Sequence, residues 1–353
     1  MKTKYVGASL NKCDSCGSNL IYDPDLKCLH CPACKKNKVI KTSNSYLFHD
    51  FNINSPEIDA NEVWENENKA MKCSNCGATV VLKGFEISSI CPYCDTSLVS
   101  TSDAHTKIKP DAIIPFAFGP QKASELFKNK IKKAKLAPKK FKEKTSPDSI
   151  HGYYFPAFIY NARCKTNYTG TLYEEYDDTD RNGNSVKRRR YFNIAGSVDT
   201  SHNNIEIEAS TKIEQLELLT VRPYDFKEAQ CFSNDYLAGY TAECYSSSVK
   251  DTFAAANAII KSEIRDSILK RYSYDGVSWL NMQTTFNSKN YSYFMLPMYR
   301  VNFNYKNKKY SHIINGQTGK VGGDIPKSKL KIALIVIGII LGFLLPIILA
   351  FML

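Results

Sequence analysis

The chain has no long apolar run near its start: Met1 to Leu10 lacks the hydrophobic core of a signal peptide. An exported, disulfide-stapled domain is therefore not expected, although the sequence holds twelve cysteines. Inside a cell thiols stay reduced, and closely paired cysteines there hold metal. Also absent are an H-E-x-x-H helix and a G-x-S-x-G elbow, which removes zincin and serine-hydrolase chemistry. Gly316-Gln317-Thr318-Gly319-Lys320 lacks the four-residue gap of a phosphate loop, and Val321 stands where Ser or Thr would bind magnesium, so it reads as a turn. No catalytic set emerges from His49, His105, His151, His202 and His312, which are dispersed, and the chain is not expected to be an enzyme. Thr42 to Asn68 has no Lys or Arg but carries Asp50, Glu57, Asp59, Glu62, Glu65 and Glu67, the composition of an acidic linker that Phe48, Phe51 and Trp64 pin locally. Ile332 to Leu353 has no charge at all.

What is there begins with a repeat. Cys13-Asp14-Ser15-Cys16-Gly17 is followed by Cys31-Pro32-Ala33-Cys34. Sixty residues on, Cys73-Ser74-Asn75-Cys76-Gly77 is followed by Cys91-Pro92-Tyr93-Cys94. Two C-x2-C knuckles at this spacing form a four-thiolate zinc ribbon: each tight turn aims two sulfurs at one tetrahedral ion, and the glycine supplies permissive backbone. Cys28-Leu29-His30-Cys31 offers a competing knuckle, but the offset matches Pro32 with Pro92 and Cys34 with Cys94, which leaves Cys28 and His30 spare. The expected ligands are Cys13, Cys16, Cys31 and Cys34 for one Zn2+, and Cys73, Cys76, Cys91 and Cys94 for a second, both structural. A ribbon of about thirty residues buries too little apolar surface to fold without its metal. Two filled sites lower the formal net charge from +12 to about +8, a basic balance that favours anionic partners.

Residues 1–41 and 69–104 are thus read as zinc ribbons joined by the linker 42–68. Residues 105–326 are read as an α+β domain with antiparallel hairpins. In it Pro120 starts a helix that places Ala123, Leu126, Phe127, Ile131 and Ala134 on one face and lysines on the other, continued by Lys139, Lys140, Lys142 and Lys144. Tyr154 to Tyr176 and Lys187 to Val198 form a long hairpin around Asn182-Gly183, and Ser248 to Lys270 is helical, with Phe253, Ala256, Ile260, Ile264 and Ile268 in register. Tyr299, Val301, Phe303 and Tyr305 alternate as a half-buried strand. A basic juxtamembrane segment, 327–331, precedes 332–353, which is long enough at about 1.5 Å per residue to span a bilayer. Lysines before the span and nothing after it predict a tail-anchored, single-pass cell-membrane protein with its N-terminal bulk in the cytoplasm.

The two ribbons, Ile114-Pro115-Phe116, Ala137-Pro138, Ile150 to Pro156, Tyr236 to Tyr240, Leu296-Pro297 and Asn315 to Lys320 with Gly322 and Pro326 together resemble a family of bacterial zinc-ribbon membrane proteins. Its members are labelled transcription-factor-B-type zinc ribbon proteins and sometimes primosomal helicase homologues. Where such proteins carry tryptophan this chain has Phe158 and Tyr299, which implies a packing role there. The resemblance carries no defined activity, and a helicase motor would need the phosphate loop this chain lacks. The expected function is a membrane-anchored adaptor that presents two structural zinc modules to a protein partner. The alternative is a membrane-tethered nucleic-acid-binding protein, with anionic lipid as another partner for the lysine-rich helix.

Overall fold

The computed structural model describes residues 4–6, 8–9, 12–51, 69–73, 79–82, 86–90, 97–100, 109–144, 150–210, 218–305, 308–323, 325–337 and 339–340. Its centre is three long strands, Ile150–Thr179, Ser185–Glu208 and Gly276–Tyr305. The first lies between the other two and pairs antiparallel with both. The first hairpin closes at Asp180–Asn184, where the Asp180 carboxylate accepts the backbone N–H groups of Asn182 and Asn184.

Sheet and sequence pattern explain one another at the base of these strands. Tyr154, Phe158 and Tyr160 enter one apolar core, whereas Phe155, Ala157 and Ile159 enter a second on the opposite face. Because both faces are covered, the run from Tyr153 to Tyr160 is continuously apolar rather than alternating. Farther out the same strands are covered on one face only, by the Val249–Leu269 helix, and there polar residues alternate with apolar ones. Ser248 caps that helix by accepting the Asp251 backbone N–H, and Ala256, Ile260, Ile264 and Ile268 are wholly buried on the sheet. Phe158 and Tyr299 are both fully buried; Phe158 packs against Tyr245, Tyr291 and Tyr293, and Tyr299 donates its hydroxyl to the Phe118 carbonyl.

The N-terminal strands are built onto this body. Glu86–Ile90 pairs with Thr241–Glu243, which pairs in parallel with the start of the first long strand. Ser97–Ser100 pairs with Glu86–Ile90 and with Ala8–Ser9, while Lys4–Val6 runs parallel to Lys69–Lys72. Phe51 stacks on Phe253 with centroids 4.4 Å apart, and the Lys289 ammonium lies over Phe51, Phe253 and Phe286. Trp64 lies outside the described residues.

Two expectations are corrected. The α+β description of the large domain gives way to a body that is mostly β-sheet: Gly276 to Met298, unassigned in the sequence reading, continues the Tyr299 strand backwards to a length of thirty residues. Polar positions such as Asn281, Gln283 and Ser288 hid it, since only one face of that half is covered. The expected C-terminal transmembrane helix is not found either. Among the described residues no helix is long and apolar enough to cross a membrane. Residues 329–337 and 339–340 are helical. Residues 341–353 lie outside the described residues. The membrane partner, the tail anchor and the single-pass cytoplasmic placement rested on that span and are withdrawn with it.

The second core also encloses charge. Arg222 Nε donates to the Glu206 carboxylate at 3.0 Å, and its Nη2 donates to the Glu206 carbonyl at 2.7 Å. Glu208, buried two residues on, has one carboxylate oxygen with no hydrogen-bond partner among the described residues. Burial, and then the nearby Glu243 charge, push its pKa up to about 8. Between about pH 4.5 and 8 the folded chain therefore keeps a proton that the unfolded chain has released. Stability from this group is full below that window, declines through it as pH rises, and levels off above it. Urea midpoints measured across this range are expected to fall with pH in the parent chain and to fall less in Glu208→Gln, which should be the more stable protein at pH 8. Equal slopes for the two would contradict the assignment.

Candidate metal centre

The first ribbon is a three-stranded antiparallel sheet of Ile21–Asp23, Cys28–His30 and Asn37–Lys38, preceded by an isolated bridge between Lys12 and Asn19. Its two knuckles are built alike. Cys13 N–H donates to the Ser18 carbonyl and Gly17 N–H to that of Cys13; Cys31 N–H donates to the Lys36 carbonyl and Lys35 N–H to that of Cys31. In each knuckle the residue after the second cysteine is left-handed, with φ +72° at Gly17 and +64° at Lys35. Gly17 takes that conformation without steric cost, whereas Lys35 places a Cβ against its own carbonyl. The sequence reading found the glycine and missed its counterpart, because lysine carries no turn signal.

This symmetry brings together the four cysteines read as the first site. The sulfurs of Cys13, Cys16, Cys31 and Cys34 all lie within 4.8 Å of one another. Cys13 and Cys34 are 3.5 Å apart, as are Cys16 and Cys31, too far for disulfides of about 2.05 Å. A zinc–sulfur bond of about 2.3 Å implies a tetrahedron edge of about 3.8 Å, so these separations match one tetrahedral ion. Cys13 and Cys31 are buried and Cys16 and Cys34 exposed, so the centre sits at the surface with its inner half in the core. The Ser18 hydroxyl and N–H, with the Cys31 and Cys34 sulfurs, lower the Cys16 thiol to about 6. Cys34 is pushed up to about 12: the Lys36 N–H lowers it, but burial and hydrogen bonds from Cys13, Cys31 and Cys16 outweigh that. Four sulfurs this close cannot all ionise without a cation among them. The four cysteines can hold one metal ion.

Cys28 and His30 stay outside the cluster. Cys28 is buried in its strand, and His30 Nδ1 pairs with Asn37 Oδ1 at 2.8 Å. Of the second set, Cys73 is described and buried, whereas Cys76, Cys91 and Cys94 lie outside the described residues. The strands that flank them repeat the first ribbon's register at the offset of sixty. Lys12 opposite Asn19 becomes Lys72 opposite Thr79. Leu29 opposite Lys38, and His30 opposite Asn37, become Ser89 opposite Leu98 and Ile90 opposite Ser97.

The other residues that carry chemistry are spread over the fold. His202 bonds Glu263 through Nδ1 and Thr200 through Nε2, His49 Nε2 bonds Asp111, and His312 is buried edge-on to Phe127; His105 lies outside the described residues. Asn315 Oδ1 accepts the N–H groups of Gln317 and Thr318, which makes Gly316–Lys320 a hairpin turn. The basic return strand is matched by its neighbour: Arg188 pairs with Asp178, and Arg189 with Glu175 while lying over Tyr173.

No protein-family model matches the chain, and no solved structure matches it. The chain is similar to a Bacillus subtilis (strain 168) protein described as uncharacterized protein YdjG, with 26% identity over 325 residues that cover 91% of each chain.

Lys35→Gly is expected to stabilise the first ribbon by about 1 kcal/mol, and Gly17→Ala to destabilise it by a similar amount. Chelator-induced unfolding followed by circular dichroism reads both, and unchanged midpoints would show that neither knuckle depends on its left-handed residue.

Proposed function

We propose that the protein is a zinc-dependent binding protein, an adaptor rather than an enzyme, with a structural Zn2+ in each ribbon. The observation that carries this is the closed first centre. Four thiolates complete a tetrahedron and leave no position for a water or substrate, which is the arrangement of structural zinc rather than catalytic zinc. The repeated register of the flanking strands supports the same geometry for Cys73, Cys76, Cys91 and Cys94. Rigid knuckles on a sheet body suit the display of a recognition surface, and Val39, 81% exposed directly after the first ribbon's last strand, is offered as part of such a surface. Nucleic acid is the second reading, favoured by the lysine helices and the net charge of +12, although Arg188 and Arg189 of the hairpin already have acidic partners.

Elemental analysis of the purified chain is expected to give two zinc ions, and Cys76→Ser one. Iron, or a single ion in the parent chain, would overturn the metal assignment. A photo-crosslinker at position 39 is expected to capture a discrete protein in cells, and to lose it in Cys31→Ser. Capture of RNA or DNA instead, with affinity that drops steeply as salt rises, would establish the second reading.

A further inference from the structure

A cavity of about 390 Å³ opens where the first ribbon, the second ribbon and the sheet body meet. Ile21, Asp23 and Asp25 come from the first ribbon, Ile90 from the second, and Ile150 and Tyr240 from the body. Ile90 immediately precedes Cys91. The floor is rigid for a specific reason. Tyr240 stacks on Phe116 at 4.2 Å and 13°, lying across the first long strand at Gly152, where a Cβ would come within 2.3 Å of the Tyr240 ring. Tyr22 fixes the ribbon side: its N–H donates to the Ala238 carbonyl and its hydroxyl to that of Phe116.

The chemistry of the lining is uneven. Isoleucine and tyrosine side chains supply apolar wall, Gln121 and His151 add polar groups, and Asp23 and Asp25 bring two carboxylates in a chain whose net charge is +12. Asp23 accepts the backbone N–H groups of Asp25 and Leu26 through one oxygen, and neither aspartate forms a salt bridge with a described residue. Burial first, then neighbouring tyrosines and after them the Asp23 charge, hold the Tyr22 and Tyr240 hydroxyls protonated. An apolar wall that also carries two carboxylates complements one kind of side chain, a positive head on a methylene stem.

We infer that this cavity receives a lysine or arginine side chain of the partner polypeptide, with its stem against Ile21, Ile90 and Ile150 and its cation between Asp23 and Asp25. The inference deepens the binding role proposed above and rests on it. Two ribbons and the body each supply part of the wall, so the pocket is complete only when both ribbons are seated.

The test uses the full chain with isoleucine methyl groups labelled for NMR, and N-acetyl-lysine amide, N-acetyl-arginine amide, N-acetyl-norleucine amide and 1,5-diaminopentane as probes. The lysine and arginine derivatives are expected to shift the Ile21, Ile90 and Ile150 signals at millimolar concentration, with norleucine at least tenfold weaker. Asp23→Asn combined with Asp25→Asn keeps the turn acceptor and should weaken both cationic derivatives at least tenfold with zinc content unchanged. No shift in the parent chain, equal binding of norleucine, or full binding by the double variant would overturn the assignment. Tighter binding of the diamine than of either derivative would also overturn it, by identifying a free amine as the occupant. Loss of zinc from the parent chain would sink the adaptor reading instead, so the two failures are distinguishable.

Discussion

Four sulfurs that must meet within a few ångströms constrain the first ribbon more than any apolar contact does. Its strands are two or three residues long, and its buried apolar side chains are few, chiefly Leu20, Tyr22, Leu29 and Ile40. So little surface does not hold a thirty-residue unit by itself. The knuckles set the direction of the Ile21–Asp23 strand, and that strand delivers Tyr22 to Tyr236 and Tyr240. From there dependence runs into the body, since Leu20, Tyr22, Leu29 and Ile40 belong to the same core as Phe116, Tyr154 and the Val249–Leu269 helix. Metal centre and sheet are therefore coupled through packing, and a change at the sulfurs is felt at Tyr240.

The body answers a different constraint. Strands of thirty residues cannot be covered on both faces along their whole length by a chain of this size. Both faces are dry only near Tyr154 and Leu296, which are one residue out of register on adjacent strands. Both ribbons attach near this region: the first through Tyr22, the second through Ser88, whose hydroxyl donates to the Tyr240 carbonyl at 2.8 Å. The outer hairpin projects away with its arginines and acids matched across strands, which keeps an exposed edge charged.

The four cysteines of the first centre were legible because tetrahedral coordination dictates a spacing, and a spacing survives in one dimension. The helix after Ser248 was legible from its period. Lys35 was not, since the conformation it must adopt follows from the symmetry of two knuckles rather than from its own propensity. Gly276 to Met298 stayed hidden because a strand covered on one face by a distant helix looks polar in isolation. Ile150 to Pro156 and Tyr236 to Tyr240 stood out as motifs, yet their role appears only when the Tyr240 ring is seen crossing Gly152. The apolar tail was read from hydropathy alone, and among the described residues no helix is long and apolar enough to cross a membrane.

An ion with a full set of thiolates recognises nothing itself, so whatever specificity the ribbons have must lie in surfaces that the ion holds still. That places the burden on residues beside the knuckles rather than on the cysteines. Asp23 and Asp25 lie in the turn that joins the first ribbon's strands, and Ile90 abuts the second ribbon's closing knuckle. They neighbour cysteines of different copies in the sequence, and all line the same cavity as Tyr240. Under the proposed binding role, a recognition element divided in this way would couple the two copies, because disorder in either removes one wall of a shared pocket. It also gives a physical reason for two copies of the module on one body, since a single ribbon on this sheet would supply either the charge or the opposing wall, but not both.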